Sequence, residues 1–172
     1  MTKQPAQRRR DSGFTLIELV MVSAVLLLVS TALLSSFESV AKREHVVTDR
    51  VTTLDSMRAV MDVTNREVRQ ATSVASTSTA SRLEFDSYLK ASDLGTTHVT
   101  YIASGTTLTR QQGGGAVVTV MNGLSTTAVF TYNDPTMVNV QVVGVRLSVL
   151  PASSPSTVLI LDTDLRLRNR SA

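Results

Sequence analysis

The chain has no cysteine, which excludes disulfides, thiolate metal ligands and thiol nucleophiles. It has no tryptophan, and only four Phe and three Tyr among 172 residues. A core must therefore rest on Val, Leu, Ile, Met and Ala. The two histidines, His45 and His98, are far apart and lack ligand-like or triad-like spacing. There is no Gly-x-Ser-x-Gly elbow. Gly113-Gly114-Gly115 is not followed by Lys-Ser/Thr and is no phosphate loop. These absences leave an enzymatic reading without support, and no metal or cofactor is expected.

Basic charge is also scarcer than the net +3 suggests. Lys3, Arg8, Arg9, Arg10 and Asp11 carry all of it, leaving 13 of the 17 basic and 13 of the 14 acidic side chains for residues 14–172. A general electrostatic case for nucleic-acid binding therefore fails, and nucleic acid is not an expected partner. By the positive-inside rule, the cluster instead holds the N-terminus in the cytoplasm.

What is present begins at that cluster. Residues 14–37, from Phe14 to Phe37, form an apolar run with no Gly or Pro, and Glu18 is its single charge. About 20 such residues suffice to cross a bilayer. A carboxylate inside a span is costly and marks a functional position in need of a partner. From Glu38 to Ala71 the chain turns amphipathic. Val40, Val47, Val51, Leu54, Met57, Met61 and Val68 recur at helical spacings, predicting a face packed on a sheet. Charges including Arg58, Asp62, Arg66, Glu67 and Arg69 read as its solvated side, with Asp62 and Arg66 spaced as an ion pair.

Ala71–Ser81 is small and polar and reads as a linker. Beyond it the period falls to two. Residues 98–102 and 107–110 predict a hairpin around Ser104-Gly105. Further strands are predicted at 116–121, 128–132, 138–150 and 158–167, the last as an edge strand with Asp162, Asp164 and Arg166 on its wet face. Asp162 and Asp164, with Asp134 elsewhere, offer oxygen ligands for calcium or plain edge protection. The fold class is α+β, one long N-terminal helix with an antiparallel sheet packed on its C-terminal half.

Three readings compete for the N-terminus. A cleaved secretory signal at Ser30-Thr31-Ala32 conflicts with the length of the run and with Glu18. A plain anchor leaves Glu18 unexplained. The third rests on Gly13-Phe14-Thr15-Leu16-Ile17-Glu18-Leu19-Val20, which resembles the prepilin peptidase recognition sequence of type IV pilins and type II secretion pseudopilins. That resemblance implies a pilin-like fold, cleavage after Gly13, N-methylation of Phe14 and an assembly role for Glu18. Many members loosen the helix with Gly or Pro where this chain has Leu27 and Ser35, so an unbroken helix is expected.

The resemblance divides the chain into a leader (1–13), a transmembrane or filament-core helix (14–37), its amphipathic continuation (38–71) and an extracytoplasmic β domain (72–172). The implied partners are sister pilin subunits, prepilin peptidase, the inner-membrane assembly platform and, before assembly, membrane lipid. Leu54–Arg58, Arg66–Ala71 and scattered strand pieces are similar to minor subunits of the J pseudopilin and PilW-like kind. The function implied is a structural filament subunit. The rival is a binding module displayed on the filament, an adhesin or DNA receptor, for which only scattered Arg82, Lys90, Arg110 and Arg146 are at hand.

Overall fold

The computed structural model describes residues 15–89, 94–154 and 156–168. Among the described residues one helix, α1 (Leu16–Arg69), is followed by eight strands and a short 3-10 turn (Met137–Asn139). The helix is unbroken through Leu27 and Ser35. The chain separates into two units, one ending at Glu44 and one beginning at His45.

In the second unit the helix packs through Met57, Met61, Thr64 and Val68, spaced four, three and four residues apart. Burying each of the apolar side chains contributes about 1.5–3 kcal/mol. The expected apolar face is shorter than its sequence pattern: Val47 and Val51 stay 60% and 51% exposed, and Val40 in the first unit is also exposed. Glu67, expected on the wet side, is buried instead. Asp62 and Arg66 are both exposed, and the helical ion pair that forms joins Asp55 and Arg58 at 3.1 Å.

The strands make two antiparallel sheets where one was expected. β1 (Ala71–Val74), β2 (Arg82–Ser87), β3 (Thr97–Ser104), β4 (Thr107–Gln112) and β5 (Val118–Asn122) run in that spatial order. β6 (Phe130–Tyr132), β7 (Val142–Val149) and β8 (Leu159–Arg166) form the second sheet. The chain passes between sheets just after Gly123, whose φ of +79° suits glycine, and Leu124 then bridges to Val149. The hairpin forms as expected, with Ile102 opposite Thr109 and Gly105 at φ +57° in a two-residue loop. β8 is an edge strand with Asp162, Asp164 and Arg166 exposed and Leu165 buried, also as expected.

The linker reading of 71–81 is corrected. Ala71 and Val74 are buried, and β1 pairs with β2 from Ala71–Ser87 to Val74–Phe85. Small and polar composition hid the strand, because Ala, Ser and Thr carry little of the β-branched and aromatic signal that marks one. The rest of the segment lies along β2: Ala75 N–H donates to Glu84 O at 2.8 Å, and the Thr77 hydroxyl donates to the Glu84 carboxylate. Burial alone would raise the Glu84 pKa. Hydrogen bonds from Arg82 and Thr77 outweigh it and hold the carboxyl below its ordinary value.

Helix and sheet are joined by polar contacts as well as by the core. The Ser87 hydroxyl donates to Glu67 O at 2.7 Å. The Glu67 carboxylate accepts the Tyr101 hydroxyl at 2.6 Å and Arg110 Nε at 3.1 Å. Tyr101 stacks with Phe85, ring centroids 6.3 Å apart. At the other end of the packed helix, Ser153 donates to Asp49 through N–H (2.8 Å) and hydroxyl (2.6 Å), and Arg50 donates to the Ser154 hydroxyl at 3.1 Å. The Ser153 bonds hold the Asp49 carboxyl below its ordinary pKa.

Candidate assembly site on the N-terminal helix

The helix starts where a side chain makes it start. Thr15 is outside the helix; its carbonyl accepts Leu19 N–H at 3.2 Å and its hydroxyl accepts Glu18 N–H at 3.3 Å. These are the two bonds of an N-cap. Thr15-Leu16-Ile17-Glu18 has the spacing of a capping box, a signal present in the sequence that the reading of Glu18 as a buried charge passed over. Glu18 lies in the first turn, where the helix dipole favours an anion. Among the described residues its carboxylate has no hydrogen-bond or ion-pair partner. Gly13 and Phe14, the expected junction, lie outside the described residues.

From Leu16 to Phe37 the large apolar side chains are exposed, 83% at Leu16 and 69% at Phe37. Length and composition make this helix capable of crossing a membrane. Four of its hydroxyls are prepared for an apolar surrounding. Ser23 donates to Leu19 O at 2.7 Å, Thr31 to Leu28 O at 2.9 Å, Ser35 to Thr31 O at 2.9 Å and Ser36 to Ala32 O at 3.1 Å. Each of these four satisfies itself on the preceding turn and needs no water there. Glu18 cannot do likewise, because its charge needs an external cation or solvent.

The other residues singled out by sequence are spread over the second unit. His98 Nδ1 is 3.0 Å from Asp86 Oδ1 across β2 and β3, and His45 is exposed on the helix. Asp134 Oδ1 accepts Thr136 N–H at 2.7 Å in its own turn, apart from Asp162 and Asp164 on β8. Among the described residues no group of three or more His, Asp or Glu is arranged to hold a metal. Arg82 and Arg110 are engaged by Glu84 and Glu67 and make no free basic patch. Lys90 lies outside the described residues.

Comparison of the chain with curated proteins and with solved structures gives no match. Residues 8–34 match the family model of the prokaryotic N-terminal methylation motif, a match that contains the basic cluster, Gly13, Phe14, the Thr15 cap and Glu18 and stops within the apolar run.

Proposed function

We propose that the chain is a non-enzymatic, pilin-like structural subunit, made as a precursor and processed by prepilin peptidase between Gly13 and Phe14. The observation that carries this reading is the coincidence of the methylation motif with an exposed apolar stretch of continuous helix, residues 16–37, whose one carboxylate, Glu18, lies in the first turn. Cleavage creates an amine at Phe14, which methylation leaves cationic. When helices leave lipid for a filament core, Glu18 of one subunit neutralises the Phe14 amine of the next. Each charge is costly alone in a low dielectric and attracts the other strongly there, so the pair sets axial register as a buried polar residue does in a coiled coil.

Before assembly the helix is held in the cytoplasmic membrane with its N-terminus inside and the β-structured unit outside. The resemblance to J pseudopilin and PilW-like subunits favours a minor place in a type IV pilus-like or secretion filament. N-terminal sequencing of protein extracted from membranes tests the processing step. A start at methylated Phe14 is expected, and a start after Ala32 or an intact Met1 overturns the reading.

A further inference from the structure

Gly144 stands inside β7, the central strand of the second sheet, where glycine weakens a strand. The backbone reasons for a glycine do not apply to it. Its φ is not in the left-handed region, and its pairings with β6 and β8 run through it without a bulge. The atoms nearest to where a Cβ would stand belong to the side chains of Thr131 and Asp164, not to another backbone. What remains is the space above it, the arrangement of a strand that a ligand approaches closely.

Thr131 Oγ1 and Asp164 Oδ1 converge on that space from the two flanking strands. One step along the same face Arg146 lies opposite Asp162. All five residues line one open hollow of about 380 Å³, a volume within the range of small-ligand sites. Arg146, Asp162 and Asp164 are exposed, and among the described residues neither their side chains nor the Thr131 hydroxyl has a hydrogen-bond or ion-pair partner. Asp162 and Asp164 by themselves protect a sheet edge. Edge protection needs no glycine in the central strand, and no hydroxyl and guanidinium lining the same hollow.

The chemistry of the hollow selects its occupant. Arg166, next along β8 on the same face, brings the local charge to zero against Arg146, Asp162 and Asp164. An anion meets two carboxylates there, and a cation meets two guanidinium groups. A hydroxyl both donates and accepts, so it satisfies a carboxylate and a donor at once. We propose that the hollow binds a neutral, hydroxyl-rich ligand, a sugar residue. One sugar hydroxyl sits over Gly144, accepting from the Thr131 hydroxyl and donating to the Asp164 carboxylate. A second accepts from Arg146 and donates to Asp162. Hydrogen bonds to such ionised groups are the strong ones. This goes beyond the structural role proposed above and shares with it only the extracytoplasmic setting.

Full-length chain, solubilised in an amine-oxide detergent because a glycoside detergent would compete, is applied to immobilised glycans ending in glucose, galactose or mannose. Glycans ending in sialic acid and in glucosamine serve as the anionic and cationic counterparts. Binding to at least one neutral hexose is expected, displaced by the same hexose free in solution. Asp164→Ala and Arg146→Ala should each weaken it roughly ten- to hundredfold, with unfolding midpoints unchanged. Asp134→Asn, in a separate turn, should bind as wild type does. No binding to a neutral hexose, preference for the charged sugars, or binding that both alanine variants leave unchanged overturns the proposal. Loss of filament incorporation in Asp164→Ala without any sugar binding also overturns it, and makes this face a contact between subunits. N-terminal sequencing of the same preparation keeps the two ideas apart. A Phe14 start without sugar binding removes only the sugar site, and sugar binding with an intact Met1 removes only the processing.

Discussion

Glu67 on the helix and Tyr101 on β3 share a hydrogen bond of 2.6 Å, 34 residues apart in sequence and nearly sealed from water. Arg110 completes the cluster from β4, so one carboxylate ties the helix to two neighbouring strands. Burial, followed by the Glu67 charge, pushes the Tyr101 pKa well up, and the hydrogen bond to Glu67 raises that of Arg110.

Breaking one side of such a cluster is more damaging than its net strength suggests, because the remaining charge is stranded. Arg110→Met should lower stability by about 2–4 kcal/mol in denaturant unfolding of detergent-solubilised protein. Glu67→Gln retains an acceptor for Tyr101 and should cost less. The double variant should cost less than the two losses added, since both remove the same contact. Additive losses would show that the two side chains act separately.

Stability should also fall on the alkaline side. Burial pushes the Tyr132 pKa from 10.0 up to about 12, and its hydroxyl donates to Thr79 O at 3.0 Å and Arg82 O at 2.9 Å. Below pH 10 the phenol is protonated whether the chain is folded or unfolded, and its contribution is fully present. Between 10 and 12 only the unfolded chain releases the proton, so folding weakens as pH rises. Tyr101, shifted the same way, adds to the loss. Unfolding midpoints should drop across this range, and Tyr132→Phe should reduce the drop; a flat profile to pH 12 would contradict the assignment.

Gly144 is required for space. A Cβ built there lies 2.2 Å from Thr131 Oγ1 and 3.2 Å from Asp164 Oδ1, its neighbours on β6 and β8. Threonine is stiff at χ1 and has little room to turn away. Gly144→Ala should therefore destabilise by about 1–3 kcal/mol. Thr131→Ala added to it should recover most of the loss, as a coupled pair requires. Unchanged stability in the single variant would mean the strands can separate without cost.

The parts legible in the sequence were those fixed by short-range period. Leu16–Arg69 reads as helix because apolar residues and then Met57, Met61 and Val68 keep helical spacing without Gly or Pro, and the 97–112 hairpin announces itself through Ser104-Gly105. Glu67 and Glu84 were not legible as buried groups. A charge among charges on an amphipathic helix looks solvated until Tyr101 and Arg110 are brought to it from 34 and 43 residues away. The division into two sheets was hidden for the same reason, since Leu124 and Val149 become neighbours only in the folded chain. The candidate assembly site was the reverse case, its motif contiguous in sequence and Glu18 without a side-chain partner within the described chain.

The proposed assembly role of Glu18 is separable from its place in the first turn of the helix, and one substitution distinguishes them. As the third helical residue after Thr15 it suits a capping box, a role that glutamine also fills. In the assembly proposed above its carboxylate would neutralise an amine on another subunit, which glutamine cannot do. Glu18→Gln should therefore leave membrane insertion and cleavage at Phe14 intact while sharply reducing incorporation into filaments, measured by N-terminal sequencing and by the amount of the chain in sheared filament fractions. Thr15→Val removes the cap and keeps the charge, at a local cost of about 1 kcal/mol, and should act far less on incorporation. If Glu18→Gln enters filaments as wild type does while Thr15→Val fails, the charge has no partner in the assembly and the residue serves only to start its own helix.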